Sequence, residues 1–176
     1  MTSFIIKAHE NRPLPLEWRS DPGCTFCRIV RGQAHAFKVY EDEKIIAILD
    51  IMPLRHGHTL VIPKVHISRV SELPDEFAAE CGKAVSKLSR AISGAVNNTA
   101  LNVVCNQEYA QAVPHVHYHI IPAPRPGAAP AGPLVRSDHV TRPLTQMEMH
   151  DLEFESRKWL DDDQALKLVE SIRSHL

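Results

Sequence analysis

The sequence predicts an α+β fold: a five-stranded sheet with a short N-terminal helix, a long central helix and one or two C-terminal helices. Three observations carry this prediction. From Pro74 onward, Phe77, Cys81, Val85, Leu88, Ile92 and Val96 recur at three- and four-residue intervals, the spacing of one helix face. On either side of that segment lie short runs rich in Val, Ile, Thr and Tyr, bounded by turn residues, which is how strands read. Beyond residue 122 a stretch rich in proline, glycine and alanine interrupts the pattern, and helical spacing then returns.

The elements follow in order. Residues 1–23 carry Pro13, Pro15 and Pro22 among mixed polar residues and read as an extension. Cys24 to Arg31 suits a short helix ended by Gly32. Phe37 to Glu41 and Lys44 to Asp50 form a hairpin across Asp42 and Glu43, and His58 to Ile62 forms a third strand stopped by Pro63. Pro74 suits the first position of the long helix, where its missing N–H costs nothing, and Asn97 and Asn98 end that helix. Thr99 to Cys105 and Val116 to Ile121 are the last two strands, joined by the loop 106–114. Residues 122–133 cannot pack a core, so the core is expected to close before them. Thr145-x-x-Glu148 has capping-box spacing, and Trp159, Leu160, Leu166, Val169 and Ile172 continue a helical pattern. The chain thus divides into an extension (1–23), a domain (24–126) and a linker with a helical extension (127–176).

Composition removes several classes of function. At 176 residues the chain suits one domain, and 20 Lys+Arg against 21 Asp+Glu leave no positive field of the kind that holds a nucleic acid duplex. No segment has the roughly 20 apolar residues of a membrane span, and residues 1–23 lack a signal-like apolar run. The expectation is a soluble protein of the cytoplasm, with the nucleus as a second location. The four cysteines do not form a disulfide framework. Cys81 and Cys105 read as buried apolar residues, whereas Cys24-x-x-Cys27 reads as a metal-ligand pair.

His115, His117 and His119 alternate with Val116 and Tyr118. On a strand, side chains at i, i+2 and i+4 share one face, about 6.5 to 7 Å apart. Crowded imidazoles repel when protonated, so three in a row point to metal binding or catalysis rather than to ordinary packing. Three histidines can hold a catalytic zinc with an open fourth position. In competition, Cys24, Cys27, His66 and His115 would make a closed Cys2His2 tetrahedron, which leaves His117 and His119 for other work.

The block Pro114-His-Val-His-Tyr-His-Ile-Ile-Pro122 resembles the signature of the histidine-triad family, His-φ-His-φ-His-φ-φ with φ apolar. Upstream, Cys24 to Gly32, Val39 to Asp42, Ile48 to Pro53 and Gly57 to Lys64 are similar to segments of its Hint branch, in the same order. The likeness spans residues 24–126. It implies an antiparallel five-stranded sheet that continues across a homodimer. It also implies roles for individual residues: His117 as nucleophile, His119 and His58 on the phosphate, and Cys24, Cys27, His66 and His115 on a structural zinc. By the same resemblance Asp50 binds the ribose hydroxyls, while Phe26, Ile29, Ile48, Leu49 and Ile51 line the base pocket. Imidazole suits the chemistry independently. It attacks phosphorus without the charge repulsion of a carboxylate, forming a nucleotidyl-histidine that water hydrolyses, and protonated neighbours would offset phosphate charge.

The loop before the triad departs from the family pattern. It reads Asn106-Gln-Glu-Tyr-Ala-Gln111-Ala112-Val-Pro114, without glycine, and Ala112 stands where a serine often contacts the phosphate. Contact with the leaving group would then fall to backbone N–H groups or Gln111, with Asn106 reaching phosphate or ribose. The leading expectation is a hydrolase of purine nucleoside 5′-phosphoramidates or related AMP or GMP conjugates. The alternatives are hydrolysis of dinucleoside polyphosphates, removal of adenylate from DNA ends, and a nucleotide- and zinc-binding interaction protein without catalysis. Because the chain ends in an acidic helical segment, the DNA reading is the weakest of these. Trp18 and Trp159 read as cover for core or dimer surface, Asp161 to Asp163 as a solvated helix junction, and His56 as facing solvent or the cleft edge.

Overall fold

The structure is a computed structural model that describes residues 18–124, 154–155 and 157–176. Its elements are helix α1 (Thr25–Val30), strands β1 (Lys38–Glu41), β2 (Ile45–Leu49) and β3 (Thr59–Pro63), a 3-10 turn (Val70–Glu72), helix α2 (Asp75–Val96), strands β4 (Leu101–Cys105) and β5 (Tyr118–Pro122), and helix α3 (Asp162–Ser174). The sheet runs β1-β2-β3-β5-β4 with every neighbouring pair antiparallel. The predicted α+β class and strand count hold. Among the described residues no helix is long and apolar enough to cross a membrane.

Period two decides which face each side chain serves. In β2 every residue is buried: Ile45, Ala47 and Leu49 join the main core, while Ile46 and Ile48 join a second cluster on the opposite face. Strand β3 splits likewise, with Val61 in the main core and Leu60 and Ile62 in the second cluster. Helices α2 and α3 cover the main face, and α1 covers the other through Phe26, Cys27 and Ile29. A sheet covered on both faces explains why its central strands are uninterrupted apolar runs.

Several boundaries differ from the sequence reading. Pro63 does not stop β3 but is its last residue, opposite Ile45; only the end of a ladder tolerates the missing donor there. Pro74 is the cap preceding α2 rather than its first turn: its ψ of 142° is non-helical, and its carbonyl accepts from Phe77 and Ala78 N–H. Asn97 ends α2 as predicted, in the left-handed region at φ 49°, with Asn98 N–H returning to the Ser93 carbonyl. Strand β5 begins at Tyr118, not Val116, because Val116 N–H donates to the Ile67 carbonyl at 2.7 Å instead of joining the ladder.

The core also extends beyond the linker. Ala165, Leu168, Val169 and Ile172 of α3 lie in the main cluster, so the expectation of a core closed before residue 122 does not hold. Asp161 caps α3, its carboxylate accepting from Gln164 N–H at 3.0 Å. At the other end of α3, His175 lies over Gly94 so closely that a Cβ there would sit 2.5 Å from the ring, which is why α2 carries glycine at this crossing. Ahead of α1, Trp18 packs edge-on against Phe77 with centroids 4.9 Å apart, the core-covering role its sequence suggested. The Thr145–Glu148 capping box lies outside the described residues.

One feature left no trace in the sequence pattern. Glu41, 1% exposed, holds Lys64 at 2.8 Å and Lys38 at 3.0 Å, an ion cluster that links the end of β1 to the residue after β3. Lys64 is itself only 4% exposed, so neither charge is tenable without the other.

Candidate active site and metal centre

The segment 115–119 keeps strand-like alternation even where it is unpaired. Val116 and Ile120 turn into the main core, and the three histidines turn toward the opposite face. There they separate into two environments.

His115, fully buried, faces α1. Its Nδ1 lies 3.4 Å from Cys24 Sγ, 3.7 Å from Cys27 Sγ and 3.3 Å from His66 Nδ1, and Cys27 Sγ lies 3.3 Å from His66 Nδ1. Four donor atoms thus converge within 4.8 Å. A tetrahedral zinc with Zn–S about 2.3 Å and Zn–N about 2.0 to 2.1 Å spaces its donors by about 3.3 to 3.8 Å. The observed separations fall in that range, so these residues fit the ion. The surroundings are arranged for it as well. His115 Nε2–H donates to the Pro63 carbonyl at 2.8 Å, which leaves the Nδ1 lone pair aimed at the centre, and Asp21 N–H donates to Cys27 Sγ at 3.5 Å. The sequence-predicted set of Cys24, Cys27, His66 and His115 is therefore brought together, and the alternative of a zinc on all three triad histidines is not.

His117, 4% exposed, sits beside Phe26, whose ring lies edge-on at 5.1 Å. Its Nδ1–H donates to the His115 carbonyl at 2.6 Å, so Nε2 carries the free lone pair. Burial pushes its pKa down and so keeps that lone pair available, while the His115 carbonyl and Asp50 oppose the shift. His119 is next in the row, 4.9 Å from His117 between ring centroids.

His119 Nδ1 lies 2.9 Å from His58 Nε2. The backbone fixes the sense of this bond: Leu54 N–H donates to His58 Nδ1 at 3.2 Å, so the proton of His58 is on Nε2 and is given to His119 Nδ1. His119 then presents Nε2–H. Both rings are neutral here, because burial lowers the pKa of His58 and pushes that of His119 down to about 4. This departs from the expectation of protonated neighbours; desolvation outweighs the attraction of Asp50, whose Oδ2 is 3.5 Å from His58 Nδ1. Asp50 Oδ1 accepts from Met52 N–H at 2.8 Å, which holds the carboxylate at the end of β2.

Phe26, Ile29 and Ile48 line the same face as His117, in the second cluster, and Ile51 stands half-exposed at the rim. Leu49 does not belong with them: by the alternation of β2 its side chain, 1% exposed, lies in the main core behind the sheet, and only its main chain can reach the cleft. The polar loop residues are committed to backbone groups. Gln111 accepts from Glu108 N–H at 2.9 Å and donates to the Ser68 carbonyl at 2.9 Å, and Asn106 donates to the Ala110 carbonyl at 3.3 Å. Ala112 is exposed. The missing glycines are felt here, since Glu108 and Ala110 adopt φ of 62° and 56°, the region glycine occupies without strain. His56 is exposed, as its sequence context suggested, whereas Trp159 at 71% exposure does not cover the core of its own chain.

Comparison with known proteins agrees with this geometry. A family model described as HIT domain matches residues 31–125. Protein hit of Bacillus subtilis is 46% identical over 101 residues, which cover 56% of this chain and 70% of that one. An Arabidopsis thaliana protein named adenylylsulfatase is 41% identical over 101 residues, 56% of this chain and 51% of that one. A Candida albicans protein named adenosine 5′-monophosphoramidase is 36% identical over 109 residues, 58% of this chain and 72% of that one. Among solved structures, a hypothetical histidine triad nucleotide-binding protein from Sulfolobus tokodaii superposes with a TM-score of 0.67 at 32% identity, covering 86% of this chain and 91% of that one. A Zn-bound histidine triad family protein from Mycobacterium smegmatis superposes with a TM-score of 0.56 at 31% identity, over 76% and 92% of the two chains. With a family model matching more than half its length and the triad folded as described, this chain belongs to the histidine triad (HIT) domain family.

Proposed function

We propose that the protein is a nucleotide hydrolase that attacks the α-phosphorus of a purine nucleoside 5′-phosphoramidate, or a related AMP or GMP conjugate, with Nε2 of His117. The observation that carries this reading is the 2.6 Å bond from His117 Nδ1–H to the His115 carbonyl, which fixes the tautomer and aims the lone pair outward. Relatives named as a phosphoramidase and an adenylylsulfatase support the substrate class, since both names describe cleavage next to an adenylate.

In the first step the Nε2 lone pair forms the N–P bond, and the bond from phosphorus to the leaving group breaks with its electron pair going to that group. Phosphate charge arriving beside His58 and His119 favours one proton on the pair, which an amine leaving group takes as it departs. His117 is left as a nucleotidyl-imidazolium whose Nδ1–H still donates to the His115 carbonyl. Water then attacks phosphorus and gives its proton to the His58–His119 pair, the N–P bond breaks, and the lone pair returns to Nε2. Asp50 accepts the ribose hydroxyls, and Phe26, Ile29, Ile48 and Ile51 surround the base.

Cys24, Cys27, His66 and His115 would hold a zinc ion. With four protein ligands and no open position, that ion fixes structure and takes no part in the displacement. Its value lies in the sequence distance between ligand and nucleophile: anchoring His115 pins the approach to β5 and hence the direction in which His117 points.

Incubation with adenosine 5′-phosphoramidate tests the reading. The native chain releases AMP and His117→Ala does not, with a loss of at least about a thousandfold for removal of a covalent nucleophile. Faster cleavage of a dinucleoside polyphosphate would instead assign the protein to the polyphosphate hydrolases, and nucleotide binding without turnover of either compound would make it a binding module.

A further inference from the structure

We infer that the C-terminal segment Arg157–Leu160 forms one wall of the nucleotide site and that Arg157 supplies a cationic contact to a phosphate of the substrate. This rests on the reading of the site as one for nucleotides, and it assigns a residue outside the 31–125 stretch matched by the family model.

The geometry starts at the rim. Leu160 N–H donates to the Ile51 carbonyl at 2.9 Å, and the Leu160 side chain packs against the main core, so the segment leading into α3 crosses directly beside the residue that follows Asp50. Two short contacts then reach the phosphate-facing histidines: Asp50 Oδ2 lies 3.5 Å from His58 Nδ1, and His58 Nε2–H donates to His119 Nδ1 at 2.9 Å. Three residues before Leu160, Arg157 is partly buried and held in one orientation. Its guanidinium carbon stacks 3.8 Å over the Phe154 ring, and its Nε–H donates to the Phe154 carbonyl at 3.1 Å.

Among the described residues no carboxylate pairs with Arg157, unlike Arg69, which holds Glu72 and Glu108. A guanidinium braced through Nε leaves its two Nη groups as a fork that matches a phosphate. Its charge is felt at the site: burial is the main reason His58 has a lowered pKa, and the positive charges of Arg157 and Arg55 add to it against the pull of Asp50. Neutral imidazoles suit attack on phosphorus but supply little charge to hold an anion. Arg157 supplies a fixed positive charge that does not depend on whether the histidines hold a proton.

The experiment is equilibrium binding of adenosine and AMP, followed by steady-state kinetics with adenosine 5′-phosphoramidate and with adenylyl sulfate, for the full-length native chain, Arg157→Gln and Arg157→Lys. Loss of one charge-assisted contact predicts AMP binding weakened about ten- to hundredfold in Arg157→Gln, with adenosine binding unchanged and partial rescue in Arg157→Lys. An equal rise in KM for both substrates places the contact on the α-phosphate, whereas a rise confined to adenylyl sulfate places it on an anionic leaving group. Native-like AMP binding and KM values in Arg157→Gln overturn the inference. So does an equal loss for adenosine, which would mark Arg157 as merely structural. A native chain that binds neither AMP nor adenosine overturns the nucleotide reading itself, and the two failures are thereby distinguished.

Discussion

At the scale of single residues, the site is governed by where each imidazole puts its proton. His117 donates Nδ1–H to a backbone carbonyl, and His58 accepts a backbone N–H at Nδ1, so the chain itself selects both tautomers. Burial then holds the rings neutral, pushing His119 from 6.5 down to about 4. The unfolded chain binds more protons than the folded one between those two values. His119 therefore adds stability that is fully present above about pH 6.5 and is lost as pH falls toward 4, with a size reduced by the ring's partial exposure. An NMR titration of the imidazole C–H signals is expected to give His119 a midpoint near 4; a midpoint between 6 and 7 would show that solvent reaches the ring. The sequence made the identity of these histidines legible, since period-two spacing needs only the chain. It could not supply their charge state, which depends on the covering elements. Leu49 shows the same limit from the other side: beside Asp50 in the chain, it faces away from the cleft because β2 alternates.

At the scale of elements, the metal-ligand set joins parts of the chain that are far apart. Cys24 and Cys27 lie at the start of α1, His66 lies just beyond β3, and His115 lies on the approach to β5. A single ion there would tie α1 and the end of β3 to the segment that carries the nucleophile. Cys24→Ser, or treatment with a chelator, is expected to lower the melting temperature by more than about 10 °C, consistent with the several kcal/mol a structural zinc contributes. The rate of the chemical step per folded molecule should change far less. A Cys24→Ser protein that melts like the native one and still holds zinc would contradict this role. Strand existence and order along the chain were legible from composition and alternation. Three boundaries were not: Pro63, Pro74 and Val116 each depended on where one backbone donor or acceptor finds its partner, which only the assembled fold decides. The ion cluster of Glu41 with Lys38 and Lys64 was invisible for the same reason, since charged residues in a strand usually mark its solvent face.

At the scale of the molecule, the chain completes its core with α3, which follows a linker whose composition suggested that the fold had already ended. The open edge lies elsewhere. Among the described residues, strand β4 has β5 on one side and no strand on the other, and it exposes Val103 at 44% and Val104 at 39%. An apolar edge of this kind invites pairing with another chain. A homodimer joined through β4 is the expected state in solution, with Val104→Asp shifting sedimentation toward the monomer; a native chain that sediments as a monomer at micromolar concentration would contradict that assembly. The central claim, covalent catalysis at His117, is tested most directly by rapid quenching of the protein with adenosine 5′-phosphoramidate and measurement of its intact mass. The predicted result is an added adenylyl group that maps to His117 and is absent from His117→Ala. Turnover to AMP with no such mass at any quench time, or an adduct that persists in His117→Ala, would contradict it.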